Sequence, residues 1–522
     1  MTKEVVSDIR WDHLYFNGVI HTLDETMPDA TWMLIHKGRI AKLGNNPPSD
    51  IPVQQKLDLK GKTVVPGFID SHTHLFSYGI AQKFWVNLGN TKTRQEAAEE
   101  IRKKASKLPT GEWVVAYYWD ESQWKDPILL DLEILDNACP NHPVYAIRVC
   151  GHLVAVNSRA LELLTEQLND LSKDEKTEAS QGILRDIELD RKQFYPPPSK
   201  ILEGIETGCL KAARLGITTA HDMVSEELLR YYFKAEKEGK LRIRICANIP
   251  TAVLPAVEKI GIISIYGSDK LKIGGLKLFY DGSIGARTAL VTEEFADMPG
   301  ETGLIFTPPE EFTDYLNRAI EAKIQPVVHA IGDKAINNVL KEYSLHQDKI
   351  AELRPRMEHV EMANDFHMEK AAEMNIIFSM QPNFNRWALP GGLYETRLGK
   401  TRVQQMNAFS RALSKNVRVA FGSDGMPLGP LLGLHFAVNH PIKESSLTVE
   451  QAIRSYTIEG AYCEFQEDEK GTLSEGKLAD FVVLSGDPWE NPEEIKEMAI
   501  EVTVVGGEII YRSATTTISP GD

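Results

Sequence analysis

In Asp70-Ser71-His72-Thr73-His74 two histidines stand two residues apart. If extended backbone continues through them, both imidazoles leave the same face and can grip one metal ion. His329 and His359 offer two further neutral nitrogen ligands. Lys277 lies inside the apolar stretch Gly275-Leu276-Lys277-Leu278-Phe279, where burial disfavours the charged form and leaves a nucleophilic amine. Such an amine can take up carbon dioxide, and the two oxygens of the resulting carbamate can bridge two metal ions about 3.5–4 Å apart. Asp424, in Phe421-Gly422-Ser423-Asp424-Gly425, sits among small residues that let the backbone approach a ligand closely. A carboxylate there can bind a metal, take a proton from its water and return it to a leaving group.

Each of these residues also has an ordinary reading. A histidine taken singly is more often a satisfied packing or surface residue. Lys277 can snorkel or pair with Asp281, and Asp424 can close an Asx-turn. The six together favour the chemistry, because each lies in or just after a short apolar run. His13, His21, His36, His142 and His346 lie away from the run ends and keep the ordinary reading.

The elements that must position these groups are short strands. Apolar runs recur between helical stretches at Val64 to Ile69, Ile217 to Ala220, Ile243 to Ile249, Leu276 to Phe279, Pro326 to Val328, Arg356 to Glu358, Ile376 to Met380 and Val417 to Phe421. Strands alternating with helices imply parallel βα units, and this number of them matches a closed (β/α)8 TIM barrel, whose active site lies at the C-terminal ends of its strands. The gap between the first and second runs is far longer than one helix needs. An inserted subdomain is therefore expected at about 83–200, folded over the barrel mouth, with an exposed loop from Leu168 to Ser180. Alternating runs from Leu14 to Leu43, and again at Phe481 to Leu484, Ile500 to Val505 and Glu508 to Tyr511 across the Gly506-Gly507 turn, read as antiparallel strands. They predict one small β-sandwich built from both ends of the chain, residues 1–65 and 468–514, around a barrel at 66–467.

Composition narrows the class. At 522 residues with 42% apolar and 25% charged content, the chain is expected to be soluble and globular. Its formal charge of −16 argues against nucleic-acid binding. Five scattered cysteines, at 139, 150, 209, 246 and 463, form no C-x-x-C pair and indicate neither a disulfide framework nor a thiolate zinc site, which fits a reducing, cytoplasmic setting. No apolar run reaches the about 18 residues of a membrane span, and the first residues do not read as a signal peptide.

The stretches VPGFIDSHTHL, KLFYDGSIGARTA, VVHAIGDKA, RMEHVE, FGSDGMP and GTLSEGKLADFVVL, with GHLVAVNSRAL in the insertion, resemble the amidohydrolase superfamily. Within it they are similar to the family 3 branch that includes the N-substituted formamide deformylases. The resemblance covers nearly the whole chain. It implies that His72 and His74 hold one metal, that His329 and His359 hold a second, that Lys277 bridges them as a carbamate, and that Asp424 completes the site as base. The family's metal is commonly zinc; one or two ions per subunit fit the pattern, and nitrogen and oxygen ligands also suit manganese, iron, cobalt or nickel.

The expected reaction is attack of metal-activated water on a polarised carbonyl or imine-like carbon, with Asp424 passing the proton to the departing nitrogen. Trp119, Asp120, Trp124, Arg148 and His152 in the insertion are candidates for the substrate pocket, with Arg148 able to hold a carboxylate, although ordinary packing explains the tryptophans as well. Asp281, Ser283 and Arg287 either support the pocket or shape a turn, and His221 and Asp222 are expected behind the ligands. The expected partners are a small-molecule substrate and a second copy of the chain in a homo-oligomer, a dimer, with no nucleic acid and no membrane. Rival readings are hydrolysis of a cyclic amide, a lactone or ester, or an amidine at the same site, and a catalytically silent ligand-binding or regulatory protein that keeps the fold.

Overall fold

The structure is a computed structural model that describes residues 11–47, 51–149, 151, 153–169, 171–185, 187, 189 and 191–520. It divides into two compact units, one of residues 1–75 and 209–522 and one of residues 76–208.

In the first unit eight parallel strands follow one another in chain order around a barrel: β1 (Phe68–Thr73), β2 (Ile217–Met223), β3 (Arg244–Pro250), β4 (Leu271–Phe279), β5 (Pro326–Ala330), β6 (Arg356–His359), β7 (Ile377–Met380) and β8 (Arg418–Phe421). Every residue of β1 and β2 is buried, as expected of strands covered on both faces. Helices between them turn one apolar stripe to the sheet. Pro309–Glu321 starts on a proline, whose fixed φ suits a first helical turn, and buries Phe312, Leu316 and Ala319. Asp365–Glu373 starts on an Asn364 capping box.

Both ends of the chain form one nine-stranded sheet. Trp11–His21 pairs with Asp29–His36 along one side, and on its other side with Val53–Asp58 and then Thr63–Pro66. This fork lets one sheet enclose a core of Tyr15, Ile20, Met33, Phe481 and Val502. Phe481–Leu484 lies antiparallel to Thr63–Pro66, and Ile500–Val505 meets Glu508–Arg512 across Gly506 and Gly507, whose φ of 59° and 77° suits a tight hairpin.

One expected strand divides. The run from Val64 to Ile69 is two strands, Thr63–Pro66 in the terminal sheet and β1 in the barrel, with Gly67 between them. A Cβ on Gly67 would lie 2.3 Å from the Thr218 side chain, so only glycine lets the chain cross there.

The second unit carries its own five-stranded sheet, in the order Ile183–Arg185, Leu153–Val156, Val144–Arg148, Val114–Trp119, Val86–Asn87. Asn157 knits it: its Oδ1 accepts from the amides of Val144 and Ala160, and its Nδ2 donates to the carbonyls of Cys139 and His142. The stretch from Leu168 to Ser180 is not the expected loop throughout, because Lys173–Ser180 is a helix begun by a Ser172–Glu175 capping box. Among the described residues no helix is long and apolar enough to cross a membrane.

Candidate metal centre

The C-terminal ends of five barrel strands carry the six chemical residues. His72 lies in β1 with His74 just beyond it, Lys277 in β4, His329 in β5, His359 at the end of β6, and Asp424 shortly after β8. The Nε2 atoms of His72 and His74 stand 3.5 and 3.1 Å from Asp424 Oδ1, and ligand atoms of these three residues all lie within 4.8 Å of one another. The His72 and His359 rings are 4.7 Å apart between centres, and the His359 and His329 rings 4.4 Å. Lys277 Nζ lies 4.6 Å from the centre of the Phe279 ring, which faces His329 at 5.4 Å.

The backbone is shaped to present these groups. His359 and Asp424 take left-handed φ of 73° and 55°, a conformation unfavourable for residues with a Cβ and concentrated at functional sites. The Asp424 amide donates to the carbonyl of His72 at 2.7 Å. Asp70, buried beside His72, accepts from the Ser423 amide at 2.9 Å and the Ser423 hydroxyl at 2.6 Å. These bonds lace the end of β1 to the loop after β8, the two strands at either edge of the ladder.

Three histidines have one ring nitrogen committed to an acceptor. His72 Nδ1 meets Glu358 Oε2 at 2.5 Å, His359 Nδ1 meets Gln381 Oε1 at 2.7 Å, and His329 Nε2 meets the carbonyl of Gly282 at 2.9 Å. Those nitrogens carry the protons, so His72 Nε2, His359 Nε2 and His329 Nδ1 keep the lone pairs a metal requires. Burial and the nearby Lys277 hold His72 down at about 4 and His329 at about 3, and burial with its neighbouring imidazoles holds His359 well below the usual histidine value. All three are neutral near pH 7.

Lys277 Nζ is buried and has no hydrogen-bond partner among the described residues. Burial lowers it to about 8, against the pull of Glu358 and Asp424. It does not pair with Asp281, whose carboxylate accepts from the amides of Leu290, Ile331 and Gly332. An orphaned buried amine beside three neutral imidazoles and a carboxylate fits a divalent cation and an anionic bridging group. For Asp424, burial would raise the carboxyl, but His72, His74 and Lys277 outweigh it and keep it below its ordinary value.

The pocket candidates fare differently. Trp119 has no exposed surface and stacks on Trp124 inside the second unit's own core, so these two rings are packing residues and not pocket walls. Arg148 already pairs with Glu121 at 2.8 Å and Asp120 at 3.3 Å, which corrects its expected role as a free carboxylate clamp. Arg287 pairs with Asp297, Asp281 anchors a loop, and Ser283 accepts from the Ala286 amide, so all three shape a turn. His152 lies outside the described residues. Asp222 accepts from the Leu75 amide at 2.5 Å and from the Tyr232 hydroxyl at 2.5 Å, fastening the chain just past His74, and His221 lies deeper in the barrel.

Asp70, Arg356, Glu358 and Gln381 were not among the expected site residues. The signal for two of them was available: Arg356 and Glu358 alternate on a strand whose every residue is buried, and a charge pair on such a strand needs a reason.

The arrangement defines a (β/α)8-barrel protein with a histidine-rich centre at the C-terminal ends of its strands. The chain belongs to the amidohydrolase family, whose sequence model matches residues 55–511, and lies in its family 3 branch. It is 29% identical to the protein YtcJ of Bacillus subtilis (strain 168), over 96% of this chain and 99% of that one. It is 26% identical to the N-substituted formamide deformylase of Arthrobacter pascens, over 96% and 98% of the two chains. The crystal structure of an uncharacterized metal-dependent hydrolase from Pyrococcus horikoshii OT3 superposes with a TM-score of 0.76 at 27% identity, covering 91% of this chain and 98% of that one.

Proposed function

We propose that this protein is a metal-dependent amidohydrolase that cleaves the C–N bond of a small amide, of the N-acyl or N-formyl amine type. One observation carries the reading: three imidazoles with free lone pairs, a buried lysine with no hydrogen-bond partner among the described residues, and an acid meet at one end of a parallel barrel. Family membership and the deformylase relative support the choice of bond.

His72 and His74 would hold one ion and His329 and His359 a second, with zinc as the proposed metal. Lys277 would bridge them after its neutral amine forms an N–C bond to carbon dioxide and releases one proton. When bound, the metal supplies Lewis acidity and lowers the pKa of water toward neutrality. The remaining chemistry belongs to the protein. Asp424 Oδ1 accepts a proton from the attacking water and passes it to the departing nitrogen, which therefore leaves as a neutral amine. Glu358, Gln381 and the Gly282 carbonyl hold the imidazoles in their ligating tautomers throughout.

The test is metal analysis of the purified protein, followed by a metal-replete screen of N-formyl amines, N-acyl amines, cyclic ureides and lactones. Stoichiometric transition metal with turnover of the open-chain amides is expected. Protein that takes up no metal and hydrolyses none of the panel would overturn the proposal.

A further inference from the structure

Barrel interiors are usually filled by layers of branched apolar side chains. Behind the metal centre this one carries a column of charge instead: Glu358, Arg356, His221, Glu464 and Lys470, all buried. Arg356 donates through Nε to Glu358 Oε1 at 2.9 Å, through Nη1 to His221 Nδ1 at 2.9 Å and through Nη2 to the Ser71 carbonyl at 2.6 Å. A guanidinium can only donate, so His221 Nδ1 is an acceptor and the proton of the neutral ring sits on Nε2. That nitrogen faces Glu464 Oε1 at 3.5 Å, close enough for the carboxylate charge to attract its proton but without hydrogen-bond geometry. The same carboxylate oxygen lies 2.7 Å from Lys470 Nζ, which also donates to Thr219 Oγ1 at 3.0 Å.

His221, Cys246 and Glu464 have ligand atoms within 4.8 Å of one another, the spacing of a metal site. Their partners argue against that use. The Lys470 ammonium already neutralises the carboxylate, and His221 has neither nitrogen free: one accepts from Arg356 and the other bears the proton. Stability does not account for the column either, since replacing buried ion pairs by well-packed apolar groups is often neutral or favourable.

Resting on the metal-centre reading above, we propose that Glu464 is a positioning residue for that centre. Seated by Lys470, its carboxylate attracts the Nε2 proton that Arg356 sets on His221 and so steadies that tautomer. His221 in turn seats Arg356, and Arg356 holds Glu358 against His72 Nδ1, leaving His72 Nε2 as the ligand.

Two charge-balanced double variants test this. Glu464→Gln with Lys470→Met keeps a neutral acceptor for His221 Nε2–H; Glu464→Leu with Lys470→Met removes it. Metal affinity is read by competition with a chromophoric zinc chelator, without any substrate. The Gln/Met variant is expected to bind zinc within about twofold of wild type and the Leu/Met variant about tenfold more weakly, the size of effect usual for outer partners of metal ligands. Equal affinities in the two variants would overturn the proposal while leaving the metal centre standing. A wild type that takes up no zinc would overturn both. Should the Leu/Met variant fail to fold, 15N NMR of histidine-labelled, metal-free wild type decides the matter. The proposal requires protonated Nε2 at His221 and protonated Nδ1 at His72, and the opposite tautomer at His221 overturns it.

Discussion

Among the described residues the barrel holds two sets of potential metal ligands, His72, His74 and Asp424 at the strand ends and His221, Cys246 and Glu464 inside, each drawn within 4.8 Å. By residue type alone the inner set, with its thiol, is the better zinc site. The neighbours reverse that ranking. At the strand ends, acceptors take the far nitrogens of His72, His329 and His359 and leave lone pairs behind, while Lys277 has no hydrogen-bond partner among the described residues. Inside, Arg356 uses up the lone pair of His221, and Lys470 serves as the cation. Hydrogen-bond direction, more than ligand proximity, marks the outer set as the candidate metal centre.

The largest expected effect lies at the outer set. Asp424→Asn should keep bound metal but lower kcat by about 100- to 10,000-fold, the usual worth of a general acid–base; steady-state kinetics on metal-replete protein would check it, and wild-type turnover would discard the role. Next comes the inner set as a structural element. Glu464→Gln alone strands Lys470 in the interior and should cost about 3–5 kcal/mol in denaturant unfolding, with much less lost when Lys470→Met is added. A third comparison plays one set against the other. Glu358→Gln should weaken metal binding by about 10- to 100-fold in chelator competition, whereas Cys246→Ser should leave it unchanged. Metal loss in the cysteine variant would erase the distinction between the sets.

The smallest effect concerns acid. Burial alone would raise Glu464, but Lys470 and His221 outweigh it and hold it at about 2, below its ordinary 4.5. A carboxyl lowered on folding stabilises the native state above its unfolded pKa, and that contribution is lost as pH falls through the folded value. The stability of wild type should therefore fall between pH 4.5 and about 2 more steeply than that of the Glu464→Gln, Lys470→Met variant. Parallel acid limbs in pH-dependent thermal melts would count against the Glu464–Lys470 pairing.

Much of the outer centre was legible along the chain, since His72, Lys277, His329, His359 and Asp424 each punctuate a local apolar run. The strand positions followed for the same reason. Local pattern misled where two sheets share one run, as at Val64 to Ile69, and where a polar stretch, Lys173–Ser180, folds as a helix through its cap. Trp119 and Arg148 looked like pocket residues because composition cannot say what a side chain will face. In the folded chain one fills a core and the other finds Glu121.

What the amino-acid order determined by itself was periodicity and local chemistry: the alternation of strand and helix, the ligand types, and the termini that return to one sheet. Only the tertiary structure decided which nitrogen of each imidazole is free, because that depends on Glu358, Gln381, Gly282 and Arg356 approaching from separate strands and loops. Contacts between residues as far apart in the chain as His221 and Glu464 leave no mark on local pattern, so their chemistry exists only once the barrel has closed around them.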